Sequence, residues 1–141
     1  MRDSIPSSIE IEGYLVSEMV RGLEVIAGVH CDPVFGPVVM AGLGGVAVEL
    51  LQDVSRSLAP VSADGAHAML RRLRSFPLLD GYRGRPACDI EALAATIARL
   101  SALGAANSDI LESLEVNPLV VRAPGAGVVA LDCVIATKPR V

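Results

Sequence analysis

In the last third of the chain, apolar positions gather into two runs that a single turn could fold together. Residues 114–121 (Leu-Glu-Val-Asn-Pro-Leu-Val-Val) and 128–135 (Val-Val-Ala-Leu-Asp-Cys-Val-Ile) are dense in Val, Leu and Ile. Between them, Arg122-Ala123-Pro124-Gly125-Ala126-Gly127 has the Pro/Gly chemistry of a hairpin connection. Side chains alternate along a strand, so Ser113, Glu115 and Asn117 share one face while Leu114 and Val116 share the other. If Arg122 opposes Gly127 across a four-residue turn, the same register sets Asn117 opposite Asp132, at roughly 4.5–5.5 Å for directly opposed residues. Pro118 has no N–H to donate, so it breaks the ladder beside Asn117 and marks an edge or a bend.

Upstream, short apolar runs predict further strands. Residues 14–20 form the first and 24–30 the second, antiparallel across the Arg21-Gly22 turn. Residues 32–37 (Asp-Pro-Val-Phe-Gly-Pro) are a turn cluster, and 38–41 a buried strand leading into Gly42-Leu43-Gly44-Gly45. Residues 46–51 and 54–59 complete the strand-rich part. After Pro60 the period changes. Ser62 is placed to cap a helix whose stripe is Ala66, Met69, Leu70 and Leu73, with Arg71, Arg72 and Arg74 elsewhere on the wheel, ending at Phe76-Pro77. A glycine-rich basic loop, 78–86, follows. Asp89 caps a second helix with the stripe Ile90, Leu93, Ala94, Ile97 and Leu100, and Gly104 is expected to stop it. The prediction is an α+β unit, a mainly antiparallel sheet with two principal helices.

Composition narrows the field. The 141 residues suit one domain, 52% hydrophobic but only 3% aromatic, so the core is Ala, Val, Leu and Ile. A net charge of −4 and the lack of Trp argue against a nucleic-acid partner, whose phosphates and bases want cations and aromatic platforms. Cys31, Cys88 and Cys133 lie far apart and without zinc-ligand spacing, which predicts reduced structural thiols. The start has no apolar signal region and the longest uncharged run is broken by glycines and Pro37, so a cytoplasmic location with no membrane partner is expected.

The chemistry concentrates in the closing hairpin. Glu115, Asn117 and Asp132 would gather an amide and two carboxylates on one sheet face, all oxygen donors of the kind that hard cations such as Mg²⁺ take. The same pattern also fits a solvated sheet face. Gly42-Leu43-Gly44-Gly45 could bring backbone close to a phosphate, but it matches neither the lysine-containing phosphate loop nor G-x-G-x-x-G, so a tight turn explains it as well. His30 and His67 have no partners at a spacing that suggests a triad. Arg56 could meet an anionic ligand or simply lie at the surface.

Taken together, the segments resemble a known family. Residues 13–20, 22–29, 32–37, 42–49, Asp53, 79–84 and 114–119 look like successive motifs of the ATP-grasp domain of NDP-forming acyl-CoA synthetases, in the order also found in the succinyl-CoA synthetase β subunit. The resemblance implies the C-terminal ATP-grasp lobe, with residues 1–12 as a lead-in and 13–141 as the nucleotide-binding lobe. It implies that Val16, Ser17 and Glu18 match the adenine-contacting hinge and Glu24 the acid that bonds the ribose. It implies that Asn117 and Asp132, with Glu115 beside them, hold Mg²⁺ against the phosphates of ATP or ADP, with GTP the alternative nucleotide. Ser113 stands where many relatives carry an acid. The preceding lobe with its phosphate-contacting lysine, the CoA-binding domains and the phosphorylated histidine are expected as partners in cis or in trans, the chain alone being inactive as a ligase. An exposed lobe surface also invites a homodimer. The rival expectation is a regulatory or binding module that keeps the site without turnover.

Overall fold

The computed structural model describes residues 12–44 and 52–139. Its strands are β1 (Leu23–Asp32), β2 (Gly36–Leu43), β3 (Val54–Leu58), β4 (Leu111–Val121), β5 (Val128–Ala130) and β6 (Cys133–Thr137). Its helices are α1 (Ala63–Arg71), α2 (Phe76–Asp80) and α3 (Ile90–Ala106). The sheet runs β3-β2-β1-β4-β5, with β6 also on β4, and every pairing is antiparallel.

The β1–β2 turn forms because Asp32 accepts hydrogen bonds from the N–H groups of Val34 and Phe35 at 2.8 and 2.9 Å. This is the local carboxylate chemistry that favours turns over ladders. Alternation then sorts β1. Val25, Ala27 and Val29 enter the core, so Glu24, Ile26 and Gly28 face the other way. The helices cover only the first face, where Met69, Leu70, Leu93 and Ile97 pack with Val39, Val116 and Leu119. Each of those large side chains contributes about 1.5–3 kcal/mol of apolar burial. Ser62 and Asp89 cap α1 and α3 as expected, accepting from Gly65 N–H and Ala92 N–H.

Several predicted elements come out differently. Residues 14–20 are not a strand: they pair with nothing in the described structure, and Leu15, Val16 and Met19 are almost wholly exposed. An apolar alternating run needs a neighbouring ladder to become a strand, and here none lies beside it. Residues 46–51 lie outside the described residues. The first helix ends at Arg71, and Pro77 sits in the first turn of α2, where a missing N–H costs no hydrogen bond. Gly104 does not stop α3, which continues to Ala106. It is a contact glycine, where a Cβ would come 2.4 Å from Val29 Cγ1.

Two carboxylates fasten the layers. Asp53, just before β3, accepts from Ser75 N–H at 2.8 Å and Arg74 N–H at 3.0 Å, tying the sheet to the α1–α2 connection. Burial pushes the Asp53 carboxyl up, but the Ser75 and Arg74 hydrogen bonds and the Arg74 charge outweigh it and hold the group below the usual range. Asp89 accepts from Ala92 N–H and also from Gly127 N–H at 2.8 Å, pinning the β4–β5 turn to α3. The three cysteines are free thiols, and burial raises the Cys88 pKa. Among the described residues no helix is long and apolar enough to cross a membrane.

Candidate functional site

The register of the closing hairpin follows from its turn. Arg122 N–H donates to the Gly127 carbonyl at 3.1 Å, and β4 then pairs Val121 with Val128, Leu119 with Ala130 and Val116 with Cys133. Between these ladders Asn117 N–H donates to the Asp132 carbonyl at 3.2 Å, so the two backbones face each other as the sequence register predicts. The return run is split at Leu131 and Asp132 rather than continuous, beside Pro118, which brings no donor. β4 is also not an edge. Pro118 falls where the register against β1 slips by one residue, between Val25 and Ala27, so it marks a bulge inside the sheet.

This arrangement leaves one sheet face uncovered by helices. A row of directly paired residues crosses it: Arg56 on β3, Met40 on β2, Gly28 on β1, Glu115 on β4 and Val134 on β6. One step along, Glu24 pairs with Val120, which pairs with Val129. Arg56, Glu24, Glu115, Asn117 and Asp132 are all exposed. The centre is low because Gly28 and Gly42 carry no side chain; a Cβ there would come 2.6 Å from the Leu114 carbonyl and 2.7 Å from the Asp53 carbonyl. The face is therefore a shallow floor with a cation on one flank and acids on the other.

Asn117 Nδ2 donates to Glu115 Oε1 at 3.3 Å, and Cys133 N–H donates to Asp132 Oδ1 at 2.8 Å. Those bonds leave Asn117 Oδ1, the second Glu115 oxygen and Asp132 Oδ2 as acceptors. Hard oxygens of this kind are what Mg²⁺ takes from a protein, keeping water and phosphate in its remaining places. Among the described residues no three His, Cys, Asp or Glu side chains cluster, so a cation here depends on the Asn117 amide.

The structure thus brings Glu115 and Asn117 into contact, sets Asp132 across the ladder from them and places Glu24 on the same face. Val16, Ser17 and Glu18 lie exposed in the stretch before β1, which is neither helix nor strand. The sequence left Arg56 as either an anion contact or a surface arginine, because its membership of the row depends on pairings between strands. His67 is half-buried, with Nε2 3.0 Å from Glu91 Oε2, and so links α1 to α3.

A family model described as an ATP-grasp domain matches residues 3–137. The chain is 42% identical over 129 residues to the ADP-forming acetate–CoA ligase I of Archaeoglobus fulgidus, covering 91% of this chain and 19% of that protein. It is 38% identical over 130 residues to the β subunit of the ADP-forming acetate–CoA ligase II of Pyrococcus furiosus, covering 92% of this chain and 55% of the subunit. Among solved structures, the dinucleotide-forming acetyl-coenzyme A synthetase 1 of Ca. Korarchaeum cryptofilum, in complex with coenzyme A and Mg-AMPPCP, superposes with a TM-score of 0.79 at 38% identity. That match covers 85% of this chain and 55% of the other. The chain spans about a fifth of the single-chain relative and just over half of the subunit.

Proposed function

Since the chain belongs to the ATP-grasp domain family, among relatives that are ADP-forming acyl-CoA synthetases, we propose that its open sheet face binds the Mg-nucleotide of an acid–CoA ligase. The observation that carries this reading is the paired row in which exposed Arg56 and Glu115 flank buried Gly28, with exposed Glu24, Asn117 and Asp132 on the same face. Glu24 offers two acceptor oxygens to the ribose hydroxyls. Asn117, Asp132 and Glu115 would hold the cation, which would supply positive charge to offset that of the nucleotide phosphates. Arg56, across the glycine floor, faces the negative phosphate oxygens and suits them because its planar fork binds two at once. ATP or ADP is the favoured nucleotide.

The exposed run 14–20 supports a second wall supplied from elsewhere. Tyr14, Leu15, Val16 and Met19 are 59–95% exposed, a contiguous apolar surface that proteins ordinarily cover. We infer that the first ATP-grasp lobe packs there, bringing Val16, Ser17 and Glu18 to the adenine edge. Phosphoryl transfer needs donors on all sides of the moving group in a partly dry cleft. One lobe offers one wall, so the CoA-binding domains and the phosphorylated histidine act from the remainder of the enzyme. The test is acid- and CoA-dependent ATP consumption, with this chain alone and with the first lobe and CoA-binding domains added in trans. Turnover only in the mixture supports the ligase role. Full turnover by the chain alone refutes the single-wall argument, and none in the mixture refutes the ligase role.

A further inference from the structure

On the helix-covered side of the sheet lies a cavity of about 230 Å³ whose walls include three arginines, Arg21, Arg85 and Arg122, with Leu23, Cys88 and Val121 among its apolar lining. Val121 belongs to the core, and Leu23 and Cys88 pack against it, so this cavity opens away from the face that carries Glu24 and Glu115.

Three separate pieces of backbone bring the arginines together. Gly22 sits so close to the end of β4 that a Cβ would lie 2.4 Å from the Val121 carbonyl oxygen, an approach only glycine allows, and this sets Arg21 beside Arg122. Asp89 N–H donates to the Arg122 carbonyl at 2.8 Å, and Cys88 N–H to the Leu79 carbonyl at 2.8 Å, which fold the loop carrying Arg85 against the same corner. That loop is held in an uncommon shape: Arg83, not a glycine, has φ +49° between Gly81 at +98° and Gly84 at +81°. A side chain held in that region is an outlier of the kind that collects at binding sites.

The charges are not balanced locally. The protein carries a net −4, yet none of these three arginines forms an ion pair among the described residues. Of the acids in the adjoining loop, Asp80 lines a different hollow with His67 and Arg71, and Asp89 is engaged by the Ala92 and Gly127 N–H groups. All three arginines are exposed residues at the cavity's rim, with Arg122 Nη2 over the β4–β5 turn 3.8 Å from where a Gly127 Cβ would lie, so an anion seated there would meet guanidinium donors from three segments. We propose that this cavity is a binding site for a small, multiply charged phosphate-type anion, separate from the nucleotide face. Its volume is below the roughly 300–1,000 Å³ of pockets for drug-sized ligands, which sets the size of the guest. Guanidinium forks are matched to phosphate oxygens in pairs.

The test is calorimetric titration of the full chain with sodium pyrophosphate in metal-free buffer at fixed ionic strength. One saturable site is expected, weakened about tenfold or more in Arg85→Gln and in Arg122→Gln, a loss typical of a charged hydrogen bond. Arg56→Gln, on the opposite face, should leave that affinity unchanged, and circular dichroism should show each variant folded. Absence of saturable binding at millimolar pyrophosphate overturns the proposal. So does an equal loss in Arg56→Gln, which would move the anion to the nucleotide face.

Discussion

Gly104→Ala should destabilise the protein although alanine is the better helix former. In a helix interior the exchange alone favours alanine by about 0.8–1 kcal/mol. The added Cβ, however, would lie 2.4 Å from Val29 Cγ1, 2.9 Å from its Cβ and 3.0 Å from its Cγ2. Carbon atoms rest at about 3.5–4.0 Å, so all three contacts are overlaps. Val29 cannot swing aside easily: it is 2% exposed, β-branched, and held on β1 between β2 and β4. Overpacking of this kind costs about 1–3 kcal/mol, and three overlaps rooted on one stiff side chain belong in the upper half of that range. The net loss is then about 1–2 kcal/mol, a fall in Tm of roughly 3–8 °C for a chain this long. Urea unfolding monitored by far-ultraviolet circular dichroism measures it, best as a cycle with Val29→Ala. With both Val29 Cγ atoms gone and only its Cβ left at 2.9 Å, Gly104→Ala should cost clearly less than it does beside the intact valine. An equal cost in both backgrounds, or a stabilised single variant, would refute the contact argument.

Two further outcomes follow from the site and its supports. In a complete enzyme, Glu24→Ala should raise the nucleotide KM about ten- to hundredfold with a smaller change in kcat, as loss of a charged hydrogen bond to the ribose requires; an unchanged KM removes Glu24 from the ribose. The Asp89 carboxyl is held below its usual range by hydrogen bonds from Ala92 N–H, Gly127 N–H and Gly125 N–H, against an opposing push from burial. A depressed carboxyl contributes stability that is present above its unfolded pKa of about 3.9 and is lost as pH falls through its lower folded value. Asp89→Asn should therefore lower stability at neutral pH and flatten the acid limb of the stability curve below about pH 4. Parallel curves for the two proteins would contradict the pinning of the β4–β5 turn to α3.

Much of this architecture was legible because it rests on short-range regularities. The two-residue period of a strand, with one turn to fix the register, was enough to set Asn117 against Asp132, fifteen residues further along the chain. The caps Ser62 and Asp89 were readable from a side-chain oxygen next to an apolar stripe. What was missed depends on contacts between distant segments. Residues 14–20 have the composition of a strand, and nothing within the run says that no described strand lies beside it. Gly104 has the look of a helix stop, and only its distance to Val29 shows that it is a packing position. The slip at Pro118, the second bond of Asp89 to Gly127 and the meeting of Arg21, Arg85 and Arg122 join positions far apart in sequence. The open-face row is of the same kind, since Arg56 and Glu115 share a face only through β2 and β1.

The central claim is that the face not covered by helices holds the Mg-nucleotide. Amide chemical-shift mapping of the isotopically labelled chain, titrated with Mg-AMPPCP to millimolar concentration, tests it residue by residue. The account predicts saturable shifts at Glu24, Gly28, Arg56, Glu115, Asn117 and Asp132, with the Glu115–Asn117 and Asp132 signals diminished when the metal is withheld. Shifts confined to α1 and α3, or no shift at any of those six positions, would contradict it.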